Sequence, residues 1–287
     1  MSLETCIILN PAAKGERAQK LIHTIKENLP DVHFMLTSRP GHARELAQKA
    51  AAKGFTKIIA AGGDGTLNEV VNGMIMSDAT LGILPVGSVN VFALELGIPR
   101  DFRKALEILQ RGNTRKVDVA KANDRWFVQL GGVGLDAQIV KETQWELKKQ
   151  WGPLSYAITA SKVAGRMGEL LNLRNGSPHP EKGSFMLVGN GRYYGGPFHI
   201  FPEADLEDGL LDVCLFENMR RIDVLRYIRG ILCGGTHINF KDVHYFKVNE
   251  INVSTIRDTP VEVDGELHGT TPVQFSIEQQ ALNVIAP

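Results

Sequence analysis

Apolar residues follow two alternating patterns along the first third of the chain. Short continuous apolar runs predict strands, and the segments between them, with apolar residues at helical spacing, predict helices. The predicted strands are Cys6–Leu9, His33–Leu36, Lys57–Ala61 and Leu81–Pro85, and the predicted helices are Glu16–Asn28, Ala43–Lys53, Leu67–Ile75 and Phe102–Gln110. Strands that alternate with helices predict a doubly wound α/β domain with a parallel sheet.

After residue 118 the pattern changes to strands separated by turns. The predicted strands are Trp126–Leu130, Phe185–Val188, Leu211–Phe216, Ile251–Ser254, Pro260–Val263 and Val273–Ile277, and the predicted helices are Ala137–Lys149, Leu154–Leu173 and Asp223–Leu232. We therefore predict an α/β domain over 1–118 and a β-rich domain over 119–277. The last apolar run, within 278–287, is a candidate to rejoin the first domain.

Composition narrows the class of protein. The 287 residues are 43% hydrophobic and 22% charged, which is typical of a soluble globular protein. Lysine plus arginine and aspartate plus glutamate both number 32, so no global charge attracts the chain to nucleic acid. The three scattered cysteines indicate buried thiols in a reducing compartment. We find no signal peptide and no apolar run of about 20 residues, so we expect a cytoplasmic protein.

The stretch from 58 to 73, IIAAGGDGTLNEVVNG, carries the most chemical information. A predicted strand stops at Gly62, Gly63 and Gly65, whose amides beside a helix N-terminus suit a phosphate group. Thr66 and Glu69 have the spacing of a capping box. Asp64 is an anion where phosphate would bind, which requires Mg²⁺ between them or a role as a base. The stretch is neither a Walker A loop nor a complete GxGxxG motif.

Polar residues follow the other predicted strands of the first domain. These segments are Asn10-Pro11, Thr37-Ser38 and 85–90, and the carboxyl ends of parallel strands gather at one crevice. Lys14 lies at the start of the first predicted helix, where the macrodipole disfavours a cation. A bound phosphate would relieve that conflict, and so would exposure to solvent.

The 62–73 stretch resembles the signature of diacylglycerol kinase-like catalytic domains, a family that includes sphingosine kinases and bacterial soluble lipid kinases, with NAD kinases as distant relatives. Further matching segments follow in order and span nearly the whole chain: Asn10-Pro11, 84–90 (LPVGSVN), Asp118-Val119, 204–212 (ADLEDGLLD) and 263–266 (VDGE).

This resemblance implies a nucleotide-binding α/β domain, a β-sandwich domain and an active site in the cleft between them, where the γ-phosphoryl group of ATP passes to a lipid hydroxyl. It implies that Glu266 accepts the proton, although the residue alone would be interpreted as a solvated turn residue. It implies a Mg²⁺ site made by Asp208 and the carbonyls of Asp205 and Leu210. The candidate nucleotide-site residues are Asn10, Lys14, Thr37, Gly62, Gly63, Asp64, Gly65, Thr66, Leu67, Asn68 and Ser88.

The chain departs from the family pattern at two positions. Val91 and Leu94 replace an aspartate and an arginine, so a charge pair is exchanged for apolar packing. The acceptor therefore stays open among diacylglycerol, sphingoid bases, monoacylglycerols, phosphatidylglycerol and isoprenoid alcohols. Two other functions stay open: an NAD kinase-like enzyme with a soluble acceptor, and a catalytically silent lipid-binding or nucleotide-binding protein.

Aromatic and basic residues alternate with apolar ones between Lys141 and Arg174. Such a segment suits transient peripheral contact with a membrane that carries the lipid substrate, and it equally suits two ordinary helices. The residues concerned are Trp145, Lys148, Lys149, Trp151, Tyr156, Lys162 and Arg166. We expect no nucleic-acid partner, and a homodimer stays open.

Overall fold

The computed structural model describes residues 4–11, 18–142, 163–164, 170–174 and 182–287. The chain divides into two compact units, Met1–Val119 with Gln279–Pro287, and Ala120–Glu278. The first unit is an α/β domain and the second is a β-sandwich domain, as the sequence predicts.

The first unit alternates strands and helices. Its elements are β1 (Thr5–Leu9), α1 (Ala18–Asn28), β2 (Val32–Leu36), α2 (His42–Ala52), β3 (Lys57–Gly62), α3 (Asp64–Met74), β4 (Thr80–Pro85), α4 (Val91–Glu95), α5 (Phe102–Arg111) and most of β5 (Thr114–Ala122). The strands pair in parallel in the order β2-β1-β3-β4, with Ile7 opposite both Phe34 and Ile59. Residues Cys6–Leu9 are fully buried, as expected of a central strand in a parallel sheet.

The second unit contains two packed sheets and a separate two-stranded sheet, β11-β12. Its strands are β6 (Arg125–Phe127), β7 (Leu130–Val133), β8 (Leu171–Arg174), β9 (Lys182–Gly183), β10 (Phe185–Gly189), β11 (Tyr193–Tyr194), β12 (Phe198–His199), β13 (Leu211–Phe216), β14 (Val243–Val248), β15 (Glu250–Ser254), β16 (Pro260–Val263), β17 (Glu266–Thr270) and the first half of β18 (Val273–Ile285). Its helices are α6 (Leu135–Glu142) and α7 (Arg221–Leu232), with a 3₁₀ turn at Thr236–Asn239.

One sheet of this unit has the order β14-β13-β10-β7-β16-β17, and its neighbouring strands are antiparallel. Side chains alternate between its two faces. Met186 and Val188 join a core cluster shared with Val253 and Phe275 of the other sheet. Phe185 and Leu187 point the other way, into a cluster with residues of α6 and α7.

The last strand serves both units. Its first half pairs antiparallel with β15, and near its end Val284 pairs in parallel with Leu81 of β4. The terminal run 279–287 therefore completes the sheet of the first unit.

The structure corrects three predicted elements. The strand predicted over Trp126–Leu130 is two strands, β6 and β7, which are separated by residues 128–129. Leu171–Arg174 is a strand paired with β15 and β9, where a helix to Leu173 was expected. Helix α3 begins at Asp64, three residues before the predicted start at Leu67. Cys6 and Cys214 are buried free thiols, and Cys233 is exposed.

Candidate active site

The glycine-rich turn of the first unit packs against the loop after β4. A Cβ atom on Gly87 would lie 2.4 Å from Gly63 Cα, and one on Gly62 would lie 2.4 Å from Thr66 Cβ. The carbonyl oxygen of Gly62 accepts hydrogen bonds from Val86 N (3.2 Å) and Gly87 N (3.1 Å). Glycine is therefore required at 62 and 87 by close packing. Gly63 caps α3 without a side chain, which leaves the first amides of the helix to other acceptors.

Asp64 ties this turn to α4. Its Oδ1 accepts a hydrogen bond from Val91 N (2.6 Å) and its Oδ2 from Asn90 N (3.0 Å). Asn90 has a positive φ of 56°, so the carboxylate holds a sharp turn at the start of α4. Burial raises the pKa of the Asp64 carboxyl, and the two amide hydrogen bonds oppose that rise. Each oxygen keeps further lone-pair capacity for a ligand.

The predicted capping box is wrong, because Thr66 lies inside α3 and Glu69 serves another helix. Glu69 accepts hydrogen bonds from Gly41 N (2.7 Å) and Ala43 N (2.9 Å), the amides at the N-terminus of α2. Thr66 Oγ1 instead accepts one from Asn10 Nδ2 (3.3 Å). Asn10 and the glycine turn thus meet at one end of the sheet, as the order of strands predicts.

The other predicted nucleotide-site residues differ in accessibility. Ser88 is exposed and Thr37 is partly buried, so both can contact a ligand. Leu67 and Asn68 are only 5% and 2% exposed, so their side chains belong to the core of the unit. Lys14 lies outside the described residues.

The sequence alone does not indicate that Arg100 belongs to this site. Its guanidinium donates a hydrogen bond to the carbonyl oxygen of Ser88, and its charge acts on Asp64 to lower the pKa of that carboxyl. A single arginine after a short helix carries no motif, so only the fold brings it to this loop.

The apolar substitutions in the second motif occupy α4. Val91 is 8% exposed, whereas the side chain of Leu94 is 38% exposed. The first is packed into the domain and the second adds apolar surface beside the loop.

In the second unit, the Val-Asp-Gly-Glu segment forms the hairpin between β16 and β17. Asp264 and Gly265 both have positive φ, 48° and 81°, as in the tight turns that favour Asp-Gly. The Asp264 carboxylate accepts hydrogen bonds from three successive amides, Val128 N (2.9 Å), Gln129 N (3.0 Å) and Leu130 N (3.1 Å). The hairpin is therefore fixed to the segment that leads into β7.

Glu266 follows this turn at the start of β17. Its Oε2 accepts a hydrogen bond from Arg125 at 3.0 Å, and its side chain is 49% exposed. The ion pair orients a carboxylate that solvent can still reach.

The acidic loop at 205–212 contains Asp208, the carboxylate of the Mg²⁺ site implied by the resemblance. Asp208 Oδ1 accepts a hydrogen bond from Leu210 N (2.9 Å), and its Oδ2 lies 2.7 Å from Lys247 Nζ. The Lys247 ammonium also donates to the carbonyl oxygen of Glu203 and lies 3.7 Å from Asp212 Oδ2. Lys247 therefore already neutralises the one carboxylate of the implied Mg²⁺ site. No group of three or more His, Cys, Asp or Glu side chains could hold a metal ion in the described parts of the chain.

Most of the segment that is predicted to contact a membrane lies outside the described residues. Between Trp145 and Arg166, only residues 163–164 are described. Within the described ranges, the helices are too short or too polar to span a bilayer.

Two family models match consecutive parts of the chain. The diacylglycerol kinase catalytic domain matches residues 4–122, and the YegS C-terminal NAD kinase beta sandwich-like domain matches residues 131–286.

Whole-chain relatives agree with these matches. Diacylglycerol kinases of Staphylococcus aureus strains bovine RF122 / ET3-1 and MRSA252 are each 32% identical over 98% of this chain and 91% of their own length. A crystal structure of a candidate diacylglycerol kinase from Bacillus anthracis strain Sterne is similar with a TM-score of 0.86, at 27% identity over 99% of this chain and 95% of that one. With a glycine turn, a second-motif loop and a Val-Asp-Gly-Glu hairpin in place, the chain belongs to the diacylglycerol kinase catalytic domain family.

Proposed function

We propose that this chain is a lipid kinase that transfers the γ-phosphoryl group of ATP to a lipid hydroxyl. The observation that carries the proposal is the 32% identity, over nearly the full length of both chains, to proteins named diacylglycerol kinase. Diacylglycerol is therefore the first acceptor to test.

The first unit would bind the nucleotide. Phosphoryl transfer depends mainly on positioning and on neutralising charge. The amides at the start of α3 and the Arg100 guanidinium supply hydrogen-bond donors and positive charge to phosphate oxygens. Asp64 provides the carboxylate oxygens that Mg²⁺ prefers, and the ion would neutralise phosphate charge when bound.

The second unit would supply the base. Glu266 is a carboxylate on a rigid hairpin, oriented by Arg125 and accessible to solvent. A group so placed can accept the proton of a lipid hydroxyl as that oxygen attacks the γ-phosphorus. The leaving group is ADP, and the proton remains on Glu266 until solvent removes it.

The acceptor would reach the enzyme from a membrane surface, so we infer a cytoplasmic protein with transient peripheral contact. The exposed Leu94 beside the nucleotide loop favours an apolar acceptor over a soluble dinucleotide. No described feature points to a homodimer.

Phosphate transfer from radiolabelled ATP to a panel of acceptors tests the proposal. The panel contains diacylglycerol, monoacylglycerol, a sphingoid base, phosphatidylglycerol and an isoprenoid alcohol in mixed micelles, with soluble NAD as the non-lipid arm. We expect label in one lipid and none in NAD. Label in NAD alone, or in nothing, contradicts a lipid kinase.

The variant Glu266→Gln tests the assigned base. Turnover should fall by roughly 10²–10⁴-fold, as for a lost general base, with the KM for ATP little changed. The matched control is Glu250→Gln, another exposed glutamate at the start of a strand of this unit. Normal turnover with weakened ATP binding would instead make Glu266 a binding residue.

Asp64→Asn tests the role of Asp64 less cleanly, because the carboxylate also holds the turn at the start of α4. The asparagine oxygen can accept from one of the two amides, but its NH₂ group then faces the other. A loss of activity in this variant counts only if its thermal unfolding matches that of the wild type.

A further inference from the structure

Two carboxyl groups lie together in the interior of the second unit, next to the Val-Asp-Gly-Glu hairpin. Glu262, on β16, is 0% exposed, and Asp136, on α6, is 7% exposed. The charge of Asp136 acts directly on Glu262, and oxygen atoms of both side chains lie beside Gly132. The Tyr194 hydroxyl donates to Asp136, 3.2 Å from each of its carboxylate oxygens.

The hydrogen bonds of Glu262 are incomplete unless one carboxyl group keeps its proton. Its Oε2 accepts from Gly265 N at 2.8 Å. Its Oε1 is buried and has no N–H or O–H partner among the described residues. Two ionised carboxylates in contact and away from water would repel each other and would both lack solvation. A proton between them removes the repulsion and gives Oε1 its partner.

Gly132 has no side chain, and this leaves space for the two carboxyl groups. A Cβ atom on Gly132 would lie 2.9 Å from Asp136 Oδ2 and 3.0 Å from Glu262 Oε1. The backbone of Gly132 does not have a positive φ, so the space, and not the conformation, accounts for glycine here.

We propose that Glu262 and Asp136 share one proton and that the protonated pair positions the hairpin that carries Glu266. The contact between Glu262 and the Gly265 amide lies one residue before Glu266, and the Asp264 carboxylate holds the same turn through the amides of 128–130. The hairpin is thus fixed from two sides. The role of Glu266 rests on the proposed function, whereas the shared proton does not.

The electrostatic environment agrees with one retained proton. Burial first, and then the neighbouring Asp136 and Asp264, raise the pKa of Glu262 well above its usual range. The groups that face it are Asp136 from α6 and Asp264 from the hairpin, with Tyr194 of β11 acting on Asp136. The folded state therefore binds a proton that the unfolded state loses at lower pH, so stability should fall as pH rises from the ordinary glutamate pKa of 4.5 towards the raised one.

Two variants of Glu262 separate protonation from packing. Glu262→Gln is neutral at all pH values, its NH₂ group can donate to Asp136, and its oxygen can accept from Gly265 N. We expect it to fold, to lose this pH dependence of stability and to lose the infrared C=O band of a protonated carboxyl group that the wild type shows near neutral pH. Absence of that band in the wild type, or its persistence in the variant, would overturn the shared proton.

Glu262→Ala removes the contact with Gly265 and tests positioning. Hydrogen exchange of the hairpin amides should accelerate, and turnover should fall by up to about 10²-fold, the effect of misplacing a catalytic group by about 1 Å. The KM for ATP should stay unchanged, and Glu262→Gln should restore both readouts. Unchanged exchange in the alanine variant would overturn the positioning role. If no acceptor is phosphorylated at all, the proposed function fails while the infrared and exchange measurements still decide this inference.

Discussion

Asp64 in the first unit and Asp264 in the second make the same type of contact. Each carboxylate accepts hydrogen bonds from successive backbone amides of another segment. A carboxylate is well suited to this task because it offers two oxygens and several lone-pair sites without a donor of its own. Both residues therefore shape the loops around the candidate site, whatever else they contact.

Asp264→Asn changes the hydrogen-bond acceptors of the side chain without disfavouring the backbone conformation, because asparagine also tolerates a positive φ. The variant keeps one oxygen but turns an NH₂ group towards amides that need an acceptor. We expect the free energy of unfolding to fall by about 1.5–3 kcal/mol, the contribution of a hydrogen bond to a charged group. Denaturant titration measures it, with Asp258→Asn, at an exposed position, as the control. Equal stability of the two variants would contradict the role assigned to Asp264.

For individual residues, the sequence indicates which side chains have a functional or structural role better than it indicates what those side chains contact. The Asp264-Gly265 dipeptide indicates a tight turn from its sequence alone. Glu69 and Arg100 show the limit. Glu69 has the spacing of a local cap, but its partners are 26 and 28 residues away on α2. Contacts of that kind depend on the packing of helices, which a local pattern does not encode.

Elements are easier to predict from the sequence in the first unit, where strands and helices alternate regularly. The parallel strands and their helices follow from apolar runs and helical spacing, whereas Leu171–Arg174 was assigned to a helix. Its residues alternate between buried and more exposed positions, the period of a strand, but four residues at the end of a longer apolar segment do not stand out. Pairing with β15 and β9 decides the outcome, and those partners are distant in sequence.

Strand β14 stabilises the acidic loop through Lys247, which lies against Asp208 and near Asp212. Asp212 is 0% exposed, and burial raises its pKa to about 6. Lys247→Met would leave that carboxylate without its cation, at a cost of roughly 1–3 kcal/mol, since Lys247 is itself partly exposed. The loss should be larger above pH 6, where Asp212 is charged as well, than near pH 5, where Asp212 keeps its proton and only the ion pair with Asp208 is lost.

Unfolding at the two pH values, with the exposed Lys241→Met as the control, measures this effect. Addition of Mg²⁺ or EDTA should leave the wild type unchanged, because the lysine already neutralises Asp208. A stabilisation by Mg²⁺ that Asp64→Asn retains would show that the ion displaces Lys247 and binds at the acidic loop, as the resemblance implies.

For the whole molecule, the first unit is built from two separate segments of the chain, Met1–Val119 and Gln279–Pro287. The first unit needs the last residues, because Leu282, Val284 and Ile285 are at most 2% exposed within it. Backbone contacts add to this burial: Ala286 N donates to Asn113 O at 3.1 Å, and Gln280 N donates to Asp118 Oδ1 at 2.7 Å. The α/β unit therefore includes residues 279–287 as well as the first 119 residues.

Leu282→Ala tests that dependence without shortening the chain. Removing a buried leucine side chain should cost about 2–5 kcal/mol, and the cost should appear in the first unit. Hydrogen exchange should accelerate in β1, β3 and β4, while β10 and β13, which lie within the second unit, keep their protection. The control is Gln279→Ala, at an exposed position of the same strand. If both units lost protection equally, the two would unfold as one cooperative body, and the terminal strand would stabilise the whole chain and not the first unit alone.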